Sequence, residues 1–486
     1  MKRIISILFV AVMLLLEPIS ACAQTLPYDT YNYDYQKNVV PTPAAYIPGE
    51  IIYSENLECG KFSAPKDMFI AEDGLIYVAD TGNNRIVVLN PDMSLNRIVD
   101  SFDNEGTEDT FKGPSGMYCS KEGVLYIADT DNKRVVVLDA EEKLVDIIQD
   151  PQSEVLGADF DFAPLKISVD YAGRVYIIAK NIYQGIMAFD QNHQFMGYFG
   201  TINVQISIGQ KIWRILSTKE QQKKQMLFIP TEFTNIDIDE EGFVYATNLD
   251  SSGGQAVRKL NPKGIDVITQ NNNGKHNLSG DATFTTTGKD TYQGASEIID
   301  VKVRDGGMFS LLDRKRGRIF TYDNEGNILY IFGGMGTQEG TFKLPVAIES
   351  AGEDIYVLDS DSCTISIFNP TEYGKAINEA VGLRFDGDEA KAVAIWEKVL
   401  EMDSNNEMAY SGIGKAYLSA GDNETAMYYL KMGVNQSFYS IAFKRYRNDL
   451  LRDNLAWILT VAIVVIFVGV VASKIVKKSR MRRKVS

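Results

Sequence analysis

From residue 59 to about residue 370, apolar and polar positions alternate in short runs separated by turn signals, the period-two pattern of strands. The runs recur as a unit. IYVADTGNNRIVVL (76–89) and LYIADTDNKRVVVL (125–138) are near copies, with Tyr77 and Tyr126 standing 49 residues apart. Each unit opens on a turn such as FSAP (62–65), KGP (112–114), FAP (162–164), FIP (228–230) or KLP (343–345). A short alternating strand follows, then an acidic-glycine turn (Asp73-Gly74, Glu122-Gly123, Glu241-Gly242) that reverses a hairpin because glycine tolerates positive φ. An aromatic marks the second strand of each unit: Tyr77, Tyr126, Tyr176, Tyr245, Phe309 and Tyr356. A third strand closes the unit. Six landmarks predict six units. Such units bury their faces only against neighbours, and a closed ring protects their edges, so the predicted fold is mainly β, a six-bladed β-propeller over 59–370.

From Tyr373 the period becomes helical. GDEAKAVAIWEKVLEM (387–402) and GDNETAMYYLKMGVNQ (421–436) align with a 34-residue offset, which predicts a small all-α domain of helical hairpins over 371–452. Asp403-Ser-Asn-Asn and Ser419-Ala-Gly-Asp read as its turns, and a basic helix over Ser440–Asn454 leads onward. Leu455 to Ala472 carries no charge and is long enough to cross a hydrocarbon core of about 30 Å, predicting a transmembrane helix over 453–473. The basic tail, 474–486, marks the cytoplasmic side. At the other end a basic start, an apolar run and Ala21-Cys22-Ala23 predict a signal peptide over 1–23; Cys22 also suits a lipid attachment site. The Tyr- and Pro-rich leader (24–58) is read as wrapping the ring or supplying its closing strand. Two insertions interrupt the units. One, around 205–227, has helical spacing and a capping box at Ser217 and Glu220; the other, 264–294, is polar. Everything between signal and span is expected outside the cell, in a single-pass membrane protein.

The net charge of −15 belongs to the ectodomain, since both termini are basic, and argues against nucleic acid as a partner. Past the signal peptide three cysteines remain, Cys59, Cys119 and Cys363; either Cys59 bridges Cys363 or all three are free thiols. Catalytic chemistry is sparse. There are two histidines, His193 and His276, and neither a zinc-spaced Cys/His set nor a Gly-x-Ser-x-Gly elbow occurs. No catalytic residue and no resident cofactor is assigned. The Asp, Asn and Arg of the repeated motif are read as scaffold, because identical residues in successive blades suit structure better than one binding site. The candidate binding residues are those near the turn prolines at the channel mouth: Lys66, Asp67, Ser115, Lys166, Glu232 and Glu297. Asp67, Glu232 and Glu297 are carboxylates suited to a divalent metal in the channel; the other reading is a polar, water-filled lining.

The ADT-x-N-x-R stretches at 79–85 and 128–134 resemble the signature of NHL-repeat propellers, and the 34-residue helical units resemble tetratricopeptide (TPR) repeats. The full layout is similar to that of uncharacterised Gram-positive bacterial surface proteins. That likeness includes IWRILSTKEQ (212–221), FIPTEF (228–233) and DRKRGRIFTYD (313–323). The resemblance implies association with membrane proteins such as ABC-transporter permeases, and a glycan or small solute as ligand. Two functions stay open on these grounds: a membrane-anchored binding or scaffold subunit accessory to a transporter, or a channel-metal hydrolase or lyase of the six-bladed type. The hairpins serve equally as a spacer or as a docking surface.

Overall fold

The computed structural model describes residues 26–149, 160–201, 232–249, 256–268 and 294–483, with isolated positions 151, 153, 156, 278, 280 and 281. The signal peptide, the helical reading of 205–227 and His276 lie outside the described residues.

Within the repeated motif the aspartates Asp80 and Asp129 are completely buried, and the hydrogen bonds they collect hold each blade together. Asp80 accepts from Ser63 N (2.7 Å), Asn83 Nδ2 (2.8 Å) and Arg85 Nε (2.8 Å). Asp129 accepts from Lys112 N (2.7 Å), Asn132 Nδ2 (2.9 Å) and Arg134 Nε (2.8 Å). A buried carboxylate is tolerable only when its oxygens are met in this way. The following threonine reaches the next blade: Thr81 Oγ1 donates to Pro114 O at 2.7 Å, and Thr130 Oγ1 to Pro164 O at 2.6 Å. The motif thus ties a blade to its own entry loop and to its neighbour, a scaffold role. Gly74, Gly123 and Gly242 carry positive φ in the predicted hairpin turns.

Six antiparallel blade sheets result, each running its own blade's strands in chain order, and a separate two-stranded hairpin joins Ser101–Asn104 to Thr107–Thr110. Their innermost strands are Asp67–Ile70, Pro114–Cys119, Pro164–Val169, Phe233–Ile238, Ile298–Arg304 and Pro345–Ala351. Each packs on the next, and the sixth packs on the first, closing a six-bladed propeller. The outer strand of blade six is Tyr46–Tyr53 from the leader, antiparallel to Thr364–Pro370. A leader hairpin, Tyr31–Tyr33 with Val39–Pro41, adds to the outer strand of blade five. The leader therefore both closes and wraps the ring. Among the described residues blade four has three strands. Cys59, Cys119 and Cys363 are buried free thiols, Cys59 and Cys363 sharing the core between blades six and one.

Five helices follow: α1 (Glu372–Phe385), α2 (Glu389–Met402), α3 (Glu407–Ala420), α4 (Asn423–Met432) and α5 (Gln436–Arg483). Thr371, Asp388, Asn406 and Asp422 cap the first four by accepting from backbone N–H groups of the first turn. The turns at 403–406 and 421–422 fall where the sequence predicts them. α1 shares a core with the ring: Ile377, Ala380 and Val381 pack with Tyr46, Met308 and Tyr330. Contact is close enough that a Cβ on Gly374 would sit 2.1 Å from Ala45 O. α5 contains an 18-residue window of mean hydropathy 2.9, none of it buried, and is long and apolar enough to cross a membrane.

Because ring and hairpins share one core, they should unfold together. Ile377→Ala, which empties a site only 1% exposed, is expected to cost about 2–5 kcal/mol. It should lower the strand and helix signals of far-UV circular dichroism at the same reduced temperature. A shift confined to the helix signal would show two independent units.

Candidate functional site at the ring axis

Innermost strands of a propeller present one unpaired edge to the axis, and their N–H groups need acceptors. Here side chains of the preceding blade supply them. Asp67 Oδ2 accepts from Met117 N (3.1 Å), Asp237 Oδ2 from Val303 N (2.8 Å), and Asp300 Oδ2 from Ile348 N (2.7 Å). Two lysines balance these acids. Lys166 Nζ pairs with Asp67 and reaches Lys66 O at 3.5 Å. Lys302 Nζ lies 2.8 Å from Glu349 Oε2 and 3.7 Å from Asp237 Oδ2, above the Phe69 ring. Asn235 Nδ2 donates to Asp300 Oδ1.

Four carboxylates therefore share two ammonium groups, and burial is the largest influence on Asp67, Asp300 and Glu349. Burial pushes Asp300 up to about 7, Lys166 opposing and the Asp67 charge adding. It pushes Glu349 up to about 8 against the pull of Lys302, with Asp237 and Asp300 reinforcing the rise. Asp67 is raised by burial despite Lys166. Burial would lower Lys302, but the charges of Asp237 and Glu349 outweigh it and hold the ammonium above its ordinary range.

Of the residues singled out in the sequence, Lys66, Asp67, Ser115 and Lys166 come together. Lys66 Nζ donates to Ser115 Oγ at 3.4 Å, beside the Asp67–Lys166 pair. Glu232 and Glu297 do not join them among the described residues. Glu232 stands beside Tyr183, whose phenol its charge raises. Glu297 is 3.2 Å from Arg314 and 4.0 Å from Lys315 on the mouth loop of blade five. Sequence reasoning missed Asn235, Asp237, Asp300, Lys302 and Glu349. Blade five has no turn proline to count from, although the bulge between Ile298 and Asp300 is one it shares with blades two, three, four and six. Its aromatic landmark also misleads, because Ser310 rather than Phe309 pairs with Lys302 as Tyr77 pairs with Phe69. The buried Asp313, equivalent to Asp80 in pairing with an arginine across the hairpin, gives the register correctly.

Among the described residues, no group of three or more His, Cys, Asp or Glu side chains is placed to hold a metal ion. His193 Nδ1 lies 2.5 Å from Asp146 Oδ2, joining blades two and three.

A second concavity lies where the ring meets the helices. A cleft of about 1780 Å³ is walled by the leader hairpin, Glu241, Phe243 and Lys259 of blade four, the blade-five turn around Glu325, the start of α3 and the α4–α5 turn. Glu325 braces it, 2.8 Å from Lys415 and paired with Arg384. Burial would raise the Glu325 carboxyl, but Lys415 and Arg384 hold it down at about 2.

No family model and no curated protein matches the chain. Solved structures similar to it include virginiamycin B lyase from Staphylococcus aureus, at 10% identity over 66% of this chain and 99% of that one, TM-score 0.41. A streptogramin B lyase matches at 12% identity over 68% and 100%, TM-score 0.37. A structural genomics protein of unknown function from Bacteroides thetaiotaomicron matches at 14% over 70% and 74%, TM-score 0.42. At these values the likenesses assign no activity; the ring rests on its own strand pairing.

Asp300 and Glu349 bind protons more tightly folded than unfolded, so the stability they contribute is fully present below about pH 4. It is lost as pH rises through about 7 and 8. The full-length protein in detergent should melt at a higher temperature at mildly acidic than at alkaline pH by this contribution. An Asp300→Asn, Glu349→Gln variant should flatten that difference; an unchanged pH profile in the variant would refute the assignment.

Proposed function

We propose that the chain is a membrane-anchored extracellular binding and scaffold protein, an accessory component of a transporter or surface complex. In this reading the ring is an NHL-type propeller and the hairpins are TPR-like. Residues 1–23 are removed on export, and the tail after the span stays in the cytoplasm. The observation that carries it is the single body formed by ring, hairpins and α5. The shared core of blades five and six with α1 joins ring to hairpins. Leu418, Ala426, Leu430 and Ala442 join the hairpins to α5, which continues into the apolar segment.

A body built this way holds its outer surfaces at a fixed place relative to the membrane, as a scaffold must. The charged groups at the ring axis are engaged with one another and with backbone N–H groups, which favours a positioning part over a reactive one. The partners proposed are integral membrane proteins, an ABC-transporter permease among them, with a glycan or small solute as the transported ligand.

Chemical crosslinking of the full chain in its native membranes, followed by mass spectrometry, is expected to recover integral membrane proteins, transporter subunits included. Recovery of the chain alone would sink the reading.

A further inference from the structure

We propose that the cleft between the ring and the helical hairpins receives an extended polypeptide segment carrying apolar side chains and basic residues. The proposal rests on the binding reading above and names the chemistry by which its protein partner is held. Size is the first argument. At about 1780 Å³ the cleft exceeds the ~300–1,000 Å³ usual for small-molecule sites, so it suits a polymer segment.

Its lining is the second. Tyr35, Phe385, Met432 and Val434 line the cleft yet stay 62%, 44%, 46% and 38% exposed. Large apolar groups left open together in one concavity mark a surface meant to be covered. Val434 also has φ +50°, a costly conformation for a β-branched residue, and strain of this kind gathers at ligand clamps. Methionine and valine present flexible or branched aliphatic surface, which packs against apolar side chains. Aromatic rings and amides share the wall, so the aliphatic groups add a surface for a peptide's apolar side chains.

Charge is the third. Asp34, Glu241 and Glu407 line the cleft, and no ion pair engages them among the described residues. Burial, with the Asp34 charge adding and the Tyr35 N–H opposing, holds the Glu407 carboxyl above its ordinary range. Of the lysines in the lining, Lys259 lies 3.7 Å from Asp239 and Lys415 is 2.8 Å from Glu325, while Lys37 sits at the leader turn. Three unpaired acids against the one unpaired lysine, Lys37, leave the balance negative among the described residues, so a segment bearing lysine or arginine completes it.

The test uses the full-length protein in zwitterionic detergent and a fluorescein-labelled peptide of alternating leucine and lysine. About eight residues, spanning ~27 Å when extended, are enough. Fluorescence anisotropy should show binding that weakens about tenfold or more, ~1.4 kcal/mol, when the peptide's lysines become glutamate or its leucines serine. A Glu241→Lys, Glu407→Lys variant should lose affinity for the lysine peptide and gain it for the glutamate peptide. Misfolding could not produce that exchange. Equal affinity of the variant and the wild type for both peptides would overturn the proposal. So would displacement of the peptide by cellohexaose at lower concentration than by unlabelled peptide, which would give the cleft to a sugar. Wild-type membrane crosslinks that persist without peptide binding would sink the cleft assignment alone; their absence would sink the broader reading.

Discussion

One strand, Tyr46–Tyr53, carries the architecture. A row of blades made in chain order has a raw edge at each end, and both are unstable in water. Inner strands of blades six and one pack to close the row, and pairing this early segment with Thr364–Pro370 fastens the start of the chain to the last blade by a strand ladder. Its first residue does more. Tyr46 is completely buried, stacks on Phe332 at 4.9 Å between ring centroids, and accepts hydrogen bonds from Arg304 Nη2 (2.7 Å) and Asn378 Nδ2 (3.0 Å). Its own hydroxyl donates to Glu353 O at 2.9 Å. Leader, blades five and six, and helix α1 therefore meet on one phenol. The residue that closes the ring also seats the helices, so neither can be rebuilt without the other.

The axis follows a related logic of satisfying edges. Innermost strands present N–H groups that need acceptors, and at three blade junctions an aspartate of the preceding blade serves one. Acids brought there need counter-charges, and Lys166 and Lys302 provide two for four carboxylates. The shortfall is met by proton affinity, which is why burial can lift Asp300 and Glu349 so far. These residues read as a closed set of mutual obligations.

Much of this was legible in the chain because the repeated motif states its chemistry twice. An aspartate that caps a loop, a threonine that reaches forward and an arginine that pairs back leave a fixed spacing, and blade count follows from it. Asp67 and Lys166 were found because turn prolines precede them. Asp300 and Lys302 were not, because blade five starts its inner strand at Ile298 where blades two, three and six have a proline, and so gives no position to count from. The closing strand was open to two readings for a different reason. YIPGEIIY contains a proline and a glycine, which weaken a strand pattern, and only pairing with a segment more than three hundred residues away fixes it. The cleft had no local signal at all, since its walls come from at least five distant parts of the chain.

Geometry along α5 limits what can occupy that cleft. The hairpins hold the helix as far as Asp449, where Asn423 Nδ2 donates to Asp449 Oδ2 at 2.8 Å. At ~1.5 Å per residue, that tie stands only ~9 Å above Leu455, where the apolar segment begins. No flexible linker intervenes on which the ring could swing. The cleft wall at Gln436 is then ~28 Å along the helix from Leu455. Headgroups add only ~5–8 Å on each side of the hydrocarbon core. With the span anchored as proposed and upright, a membrane partner reaches the cleft only through a segment that rises ~20 Å clear of the lipid. On the reading proposed above, the partner best matched to this body is a membrane protein with an extended loop or tail on the ring's side of the membrane, not one whose mass lies within the bilayer.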